Sequence, residues 1–215
     1  MINEYEKINN SYKSKTFGKP QDIYTDNYWS TPIRSNIDQQ IGNVIGKNEL
    51  VKENLTYIEP KKNLEIACAP AYLLGEMAKE FECIGIEVDI KYKEQMEKYC
   101  NGAELVFGFF PAITKHWKKN QFSNIIALDV FEHIEDSTGF LQECNRLMVK
   151  GGHLIIQSPI ILEDGQMEDK MFNALEHIWI YGIEDLKELI KENGFEVLKV
   201  DRYQVGHEQI VSKKI

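Results

Sequence analysis

The chain has 215 residues, 43% of them hydrophobic, and a formal net charge of −9. That length fits one domain with a full core and at most a small cap. The acidic balance argues against broad, non-specific nucleic-acid binding, which relies on clustered Lys and Arg. Lys115, Lys118 and Lys119 are the nearest thing to a basic patch.

Four cysteines, Cys68, Cys83, Cys100 and Cys144, show no C-x-x-C spacing and fall within predicted strands and helices. They read as reduced thiols acting as small buried hydrophobes. Met1-Ile2-Asn3-Glu4 is polar and acidic, so no secretory leader is expected. No apolar run approaches the roughly 20 residues that span a bilayer. A soluble cytoplasmic protein with no membrane partner is the expectation.

Residues 1–60 are polar, rich in Asn, Lys and Tyr, and lack strand alternation. Tyr5, Tyr12, Phe17, Tyr24, Tyr28 and Trp29 make them too aromatic for simple disorder. Ile33, Ile37, Ile41, Val44 and Ile45 recur at helical spacing and predict a helix near 33–46. The segment reads as an N-terminal cap on a domain covering 61–215.

From residue 63 strands and helices alternate. Strands are predicted at 63–67, 83–88, 104–107, 124–129 and 153–158, the last stopping at Pro159. Helices are predicted at about 71–81, 91–100, 136–148 and 183–193. Lys150-Gly151-Gly152 supplies a stop for the third helix and Asn193-Gly194 for the fourth. A charged loop, 162–176, lies between. Strands at 195–203 and 208–213 follow, antiparallel because a tight turn at Gly206 joins them.

The run Asn63–Leu73 holds an apolar strand ending in Glu65, then a turn of small residues opening a helix. Twenty-two residues after Glu65, Glu87 closes a second apolar run. This is a β-α-β unit, and ligands of open parallel sheets bind at such turns. An acid at the end of the second strand accepts hydrogen bonds from both hydroxyls of a ribose. A later buried strand, 124–129, runs into Asp129, and Glu132 and His133 follow on the turn after it.

The first segment resembles the E-x-G-x-G-x-G motif of class I S-adenosylmethionine (SAM)-dependent methyltransferases, with Ala67, Ala69 and Ala71 in the glycine positions. Either these alanines use ordinary dihedrals or cofactor binding is altered. The run Ile125–Ile134 resembles the family's fourth-strand motif. Arg146-Leu147, Gly151-Gly152, Glu176-His177 and Gly194-Phe195 follow in the family's order, so the resemblance covers about 150 residues. It implies a Rossmann-like α/β fold: a seven-stranded, mostly parallel sheet with an antiparallel terminal strand, helices on both faces and a small N-terminal cap.

The resemblance further implies that Glu65, Ala67, Ala69 and Tyr72 line the methionine side of SAM, with Cys68 of the turn touching the cofactor through its backbone. Glu87 would hold the ribose, and Val88 after it is a further expected cofactor-binding residue. Asp129 would border the cofactor. No acid follows the third strand, so Phe109 or Phe110 is expected to stack on adenine. His133 is the expected general base, with Glu132 and His177 assisting. Tyr28, Trp29 and Trp179 are the expected substrate-binding residues. The expected reaction is O-methylation of a small polar metabolite, a sugar or nucleotide sugar first.

Asp129, Glu132, His133 and His177 also resemble the metal-binding set of small-RNA 3′-end 2′-O-methyltransferases and some quinone-biosynthesis O-methyltransferases. A divalent metal ranks second to a metal-free histidine base, and a nucleic-acid partner ranks below a small molecule. A non-catalytic methyltransferase-like subunit with weakened SAM binding is the main rival. A nucleotide-binding oxidoreductase is a further one, opposed by the D-V-F-E-H run. The acceptor atom and the oligomeric state are left open.

Overall fold

The structure is a computed structural model that describes residues 5–15, 37–161, 177–204 and 207–215. Five parallel strands form its centre: β3 (Lys62–Ile66), β4 (Glu82–Glu87), β5 (Glu104–Phe107), β6 (Phe122–Leu128) and β7 (Met148–Ile161). Their order is β5-β4-β3-β6-β7. β10 (His207–Lys214) pairs antiparallel with β7 and with β9 (Phe195–Gln204). These seven strands are the expected mostly parallel sheet with its antiparallel terminal strand. Three short strands extend it to ten: β1 (Tyr5–Ile8), β2 (Ser11–Ser14) and β8 (Trp179–Gly182).

Alternate residues of the central strands face opposite layers, as the two-residue strand period requires. Ile125, Leu154 and Ile210 pack with Phe140, Leu141 and Cys144 of α4 (Ser137–Leu147) and with Leu186 and Ile190 of α5 (Ile183–Glu192). Ile126, Ile155 and Val211 pack on the other side. Their neighbours there are Val51 of α1 (Ile37–Asn54), Leu73 and Leu74 of α2 (Tyr72–Met77) and Met96 of α3 (Lys93–Met96). All four cysteines are free and buried. Burial pushes the Cys68 and Cys144 thiols well up and Cys83 to about 12, so they are inert. Among the described residues no helix is long and apolar enough to cross a membrane.

Several expected elements differ. The N-terminal segment contains strands: β1 and β2 pair antiparallel around Asn9, whose φ of 56° suits a tight hairpin turn. The hairpin adds to β8 through Tyr12 and Lys13. α1 runs eight residues past the predicted end near 46, to Asn54. α2 and α3 are shorter than predicted, because the chain leaves each in single turns that lead to the next strand.

α4 ends at Leu147, before Gly151-Gly152, and Met148 is already extended. Those glycines instead lie in an irregularity of β7 between the pairs Phe122–Met148 and Asn124–His153, where Gly151 takes φ 82°. Pro159 does not stop β7. It ends the ladder with β10, and Ile160 and Ile161 then pair with β8. A residue without an N–H is tolerated where a strand changes partner.

Candidate active site

Chain order reverses between β3 and β6, and the two strands' C-terminal ends open the cleft expected at such a switch point. A cavity of about 230 Å³ lies there. It is lined by the turn after β3, by the ends of β4 and β6, by Phe109 and Phe110, and by Lys47 and Asn48 of α1. Glu65, Ala67, Cys68, Ala69, Tyr72, Glu87, Val88, Asp129 and His133 all border it. The structure therefore gathers every residue expected around the cofactor into one cavity.

The turn after β3 is held from three sides. Cys68 N–H donates to Ile86 O at 3.1 Å. Glu87 accepts from Ala69 N–H at 3.3 Å through one carboxylate oxygen, and from Val88 N–H at 2.7 Å and Asp89 N–H at 3.1 Å through the other. Gly85 completes the fit, since a Cβ there would lie 2.5 Å from Cys68 Sγ and 2.6 Å from a Leu74 methyl. Ala67 and Ala71 adopt left-handed φ of 58° and 66°, and Ala69 does not. The ordinary-dihedral alternative thus fails at two of the three alanines. The turn keeps the backbone form that glycine favours, with methyl groups in place.

Three carboxyl groups face the cavity. Burial raises Glu65 well above the usual carboxylate range despite the Leu74 N–H, with Glu87 adding repulsion. One Glu65 oxygen is buried with no hydrogen-bond partner among the described residues. Burial also raises Glu87, against the pull of its three backbone donors. Asp129, at φ 51°, accepts from Gln157 Nε2 at 3.1 Å and pairs with Lys47 Nζ. Such a lining suits a ligand with cationic character.

Phe110 is split between two roles. It borders the cavity but is 8% exposed and meets Phe140 edge-on at 4.9 Å, so it is mostly core. Phe109 is the more open of the pair.

His133 and His177 meet edge to face, 5.2 Å between centroids. Glu132 is buried behind them. Its Oε2 accepts from Ser158 Oγ at 3.0 Å, and Oε1 lies 3.9 Å from His133 Nε2. Burial and the nearby Asp129 charge raise Glu132 to about 8. One donor atom from each of Glu132, His133 and His177 lies within 4.8 Å of the others. This oxygen and two nitrogens fit a divalent transition metal by donor chemistry. Asp129 stands outside the group, engaged by Lys47 and Gln157. The N-terminal hairpin reaches this cluster, since Tyr5 O–H donates to His177 O at 3.1 Å.

Trp179 does not border the cavity. It stacks on Tyr181 at 5.3 Å, lies under Lys13 and donates to Glu135 O at 3.4 Å. Tyr28 and Trp29 lie outside the described residues, as do residues 162–176 and Gly206. Lys47 and Asn48 border the cavity too, outside the expected set. Continuing the helical spacing of Val44 to Asn48 and Val51 carries the helix to them.

Among curated proteins no sequence matches this chain. Solved structures share its fold at low identity. A chain from the complex between the Haloferax volcanii Trm112 methyltransferase activator and a methyltransferase superposes with TM-score 0.72 at 11% identity, covering 86% of this chain and 95% of that one. The [4+2]-cyclase SpnF gives 0.65 at 16%, covering 86% and 85%. PigF with SAH gives 0.66 at 13%, covering 82% and 57%. The family described as "Methyltransferase domain" matches residues 46–200, which include β3 to α5 and the whole cavity lining. The chain belongs to the class I SAM-dependent methyltransferases.

Proposed function

We propose that the protein transfers a methyl group from SAM to a hydroxyl of a small polar metabolite, a sugar or nucleotide sugar first. The observation that carries this reading is the single cavity joining the turn after β3, Glu87 and His133. The cofactor supplies a methyl group made electrophilic by its sulfonium. Glu87 meets the ribose, and Phe109 covers the adenine. Three acidic groups against one lysine favour a cationic ligand over an anionic one.

His133 takes the proton of the acceptor hydroxyl as the new carbon–oxygen bond forms. His177, packed on its ring, limits the orientations the imidazole can adopt. Glu132 is uncharged below about pH 8 and assists as a buried polar neighbour rather than as an anion. The segment 1–60 serves as the cap of the domain at 61–215.

One observation favours a second reading, metal-assisted methylation, including of RNA ends. Glu132, His133 and His177 bring a carboxylate and two imidazoles together. A divalent ion held there would acidify a hydroxyl.

The test is SAH formation from SAM with a panel of sugars and nucleotide sugars, with and without EDTA. His133→Ala should lower turnover by about 10² or more while SAH affinity stays within twofold. Full turnover in His133→Ala contradicts the base assignment, and loss with EDTA, restored by Mg²⁺ or Mn²⁺, favours the metal reading.

A further inference from the structure

A row of side chains crosses three strands near the C-terminal end of β7, outside the cavity. Arg202 of β9 stands opposite Glu208 of β10, and Glu208 stands opposite Ser158 of β7. Opposed residues of antiparallel strands point to the same face. Ser158 Oγ donates to Glu132 Oε2 at 3.0 Å, and Glu132 Oε1 lies 3.9 Å from His133 Nε2. The row therefore starts beside the base of the proposed reaction. It ends in a guanidinium on β9, which pairs with β10 alone among the described strands.

Glu208 is 3% exposed, whereas the Arg202 side chain is 57% exposed. Arg202 Nε donates to Glu208 Oε1 at 3.0 Å. Arginine–carboxylate pairs are frequently bidentate, which uses a terminal nitrogen as well. Here only Nε–H is engaged, and neither terminal nitrogen has a hydrogen-bond partner among the described residues. The buried carboxylate pins the guanidinium by its inner nitrogen and leaves the remaining N–H donors of the fork open to a ligand. Such a fork matches the oxygens and the charge of a phosphate. Neighbouring strands lie about 4.8 Å apart, so two spacings set Arg202 roughly 10 Å from Ser158. That gap, shortened by the reach of the arginine side chain, suits a hydroxyl and a phosphate separated by one sugar ring.

We propose that Arg202 is a specificity residue that binds a phosphate group of the acceptor, with Glu208 fixing its orientation. The inference rests on the proposed O-methylation and narrows its substrate class to sugars that carry a phosphate, nucleotide sugars among them. Arg202 does not border the acidic cavity. The cofactor's cation and the acceptor's anion are thus held by separate groups.

Steady-state methyl transfer with paired acceptors tests it: UDP-hexoses and hexose 1-phosphates against the matching free hexoses. In the wild-type protein kcat/KM should be about tenfold or more higher for the phosphorylated member of a pair. Arg202→Gln should raise the KM of that member about tenfold or more. It should leave kcat and SAH affinity within twofold and the KM of the free hexose unchanged. Arg202→Gln also leaves the buried Glu208 without its cation, so the double variant Arg202→Gln/Glu208→Gln is the control for folding. The rise in KM should persist in it. Equal kcat/KM for both members of each pair in the wild type, an equal rise in KM for free and phosphorylated acceptors, or recovery of KM in the double variant overturns the phosphate site and leaves methyl transfer to a hydroxyl standing. Turnover of none of these acceptors by the wild-type protein removes the phosphate site and the proposed substrate class together.

Discussion

Glu87 accepts the backbone N–H of Ala69, so the acid that ends β4 fastens the turn that follows β3. One side chain thereby links the stability of the turn to the cavity it lines. The other carboxylate oxygen is engaged by Val88 and Asp89, which fixes the orientation of the group. The turn is held in shape even though two of its alanines are left-handed.

Those alanines make a stability prediction. A left-handed alanine costs about 1 kcal/mol relative to glycine. Ala67→Gly should raise stability by up to about 1 kcal/mol, read as a higher Tm, with cofactor affinity kept or improved. Ala71 is fully buried, so Ala71→Gly should be near neutral, because the lost methyl contact offsets the relieved backbone. A loss above about 1 kcal/mol in Ala67→Gly contradicts the strain.

Glu132 makes a pH prediction. Its folded value of about 8 lies above the ordinary 4.5, so the folded protein holds this proton more tightly than the unfolded chain. The associated stability is complete below about 4.5 and is lost as pH rises to about 8. Glu132→Gln, which cannot ionise, should flatten that fall. Chemical denaturation of both proteins from pH 5 to 9 checks it: the variant's relative stability rises with pH. Parallel curves would show that Glu132 is ionised throughout.

The hairpin makes a prediction about positioning. Asp185 accepts from Asn10 N–H at 2.9 Å and from Ser11 O–H at 2.6 Å, which docks β1 and β2 on the α5 side of the sheet. Through the Tyr5 bond, the same hairpin steadies His177. Asp185→Ala should cost about 1–2 kcal/mol of stability. It should lower kcat while leaving the KM for SAM within twofold, because no hairpin residue borders the cavity. A rise in that KM with kcat unchanged contradicts the assignment.

The central sheet was legible because each of its strands is an apolar run bounded by an acid or a turn residue. Glu65 and Glu87 stand at the ends of two such runs, and their side chains face one cavity. The D-V-F-E-H run was equally readable, since Asp129 and His133 follow a fully buried strand. What escaped was encoded differently. β1 and β2 have four residues each and carry Glu6, Lys7 and Lys13, so their pairing depends on a distant edge at Tyr12 and Ile180. Gly151-Gly152 reads as a helix stop, yet the helix had already ended and the glycines serve a strand irregularity. Lys47 and Asn48 reach the cavity only through the packing of α1, and nothing local in sequence marks them as site residues.

The most direct test of the account is calorimetric titration of SAM and SAH into the wild-type protein and into Glu87→Ala. Wild-type protein is expected to bind both ligands in the micromolar range, about −8 kcal/mol. A loss of about tenfold or more is expected in the variant, because the substitution removes the carboxylate that bonds the turn and that the proposed function assigns to a ribose hydroxyl. No detectable binding of either ligand to the wild-type protein would contradict it and leave a methyltransferase-like subunit without a cofactor.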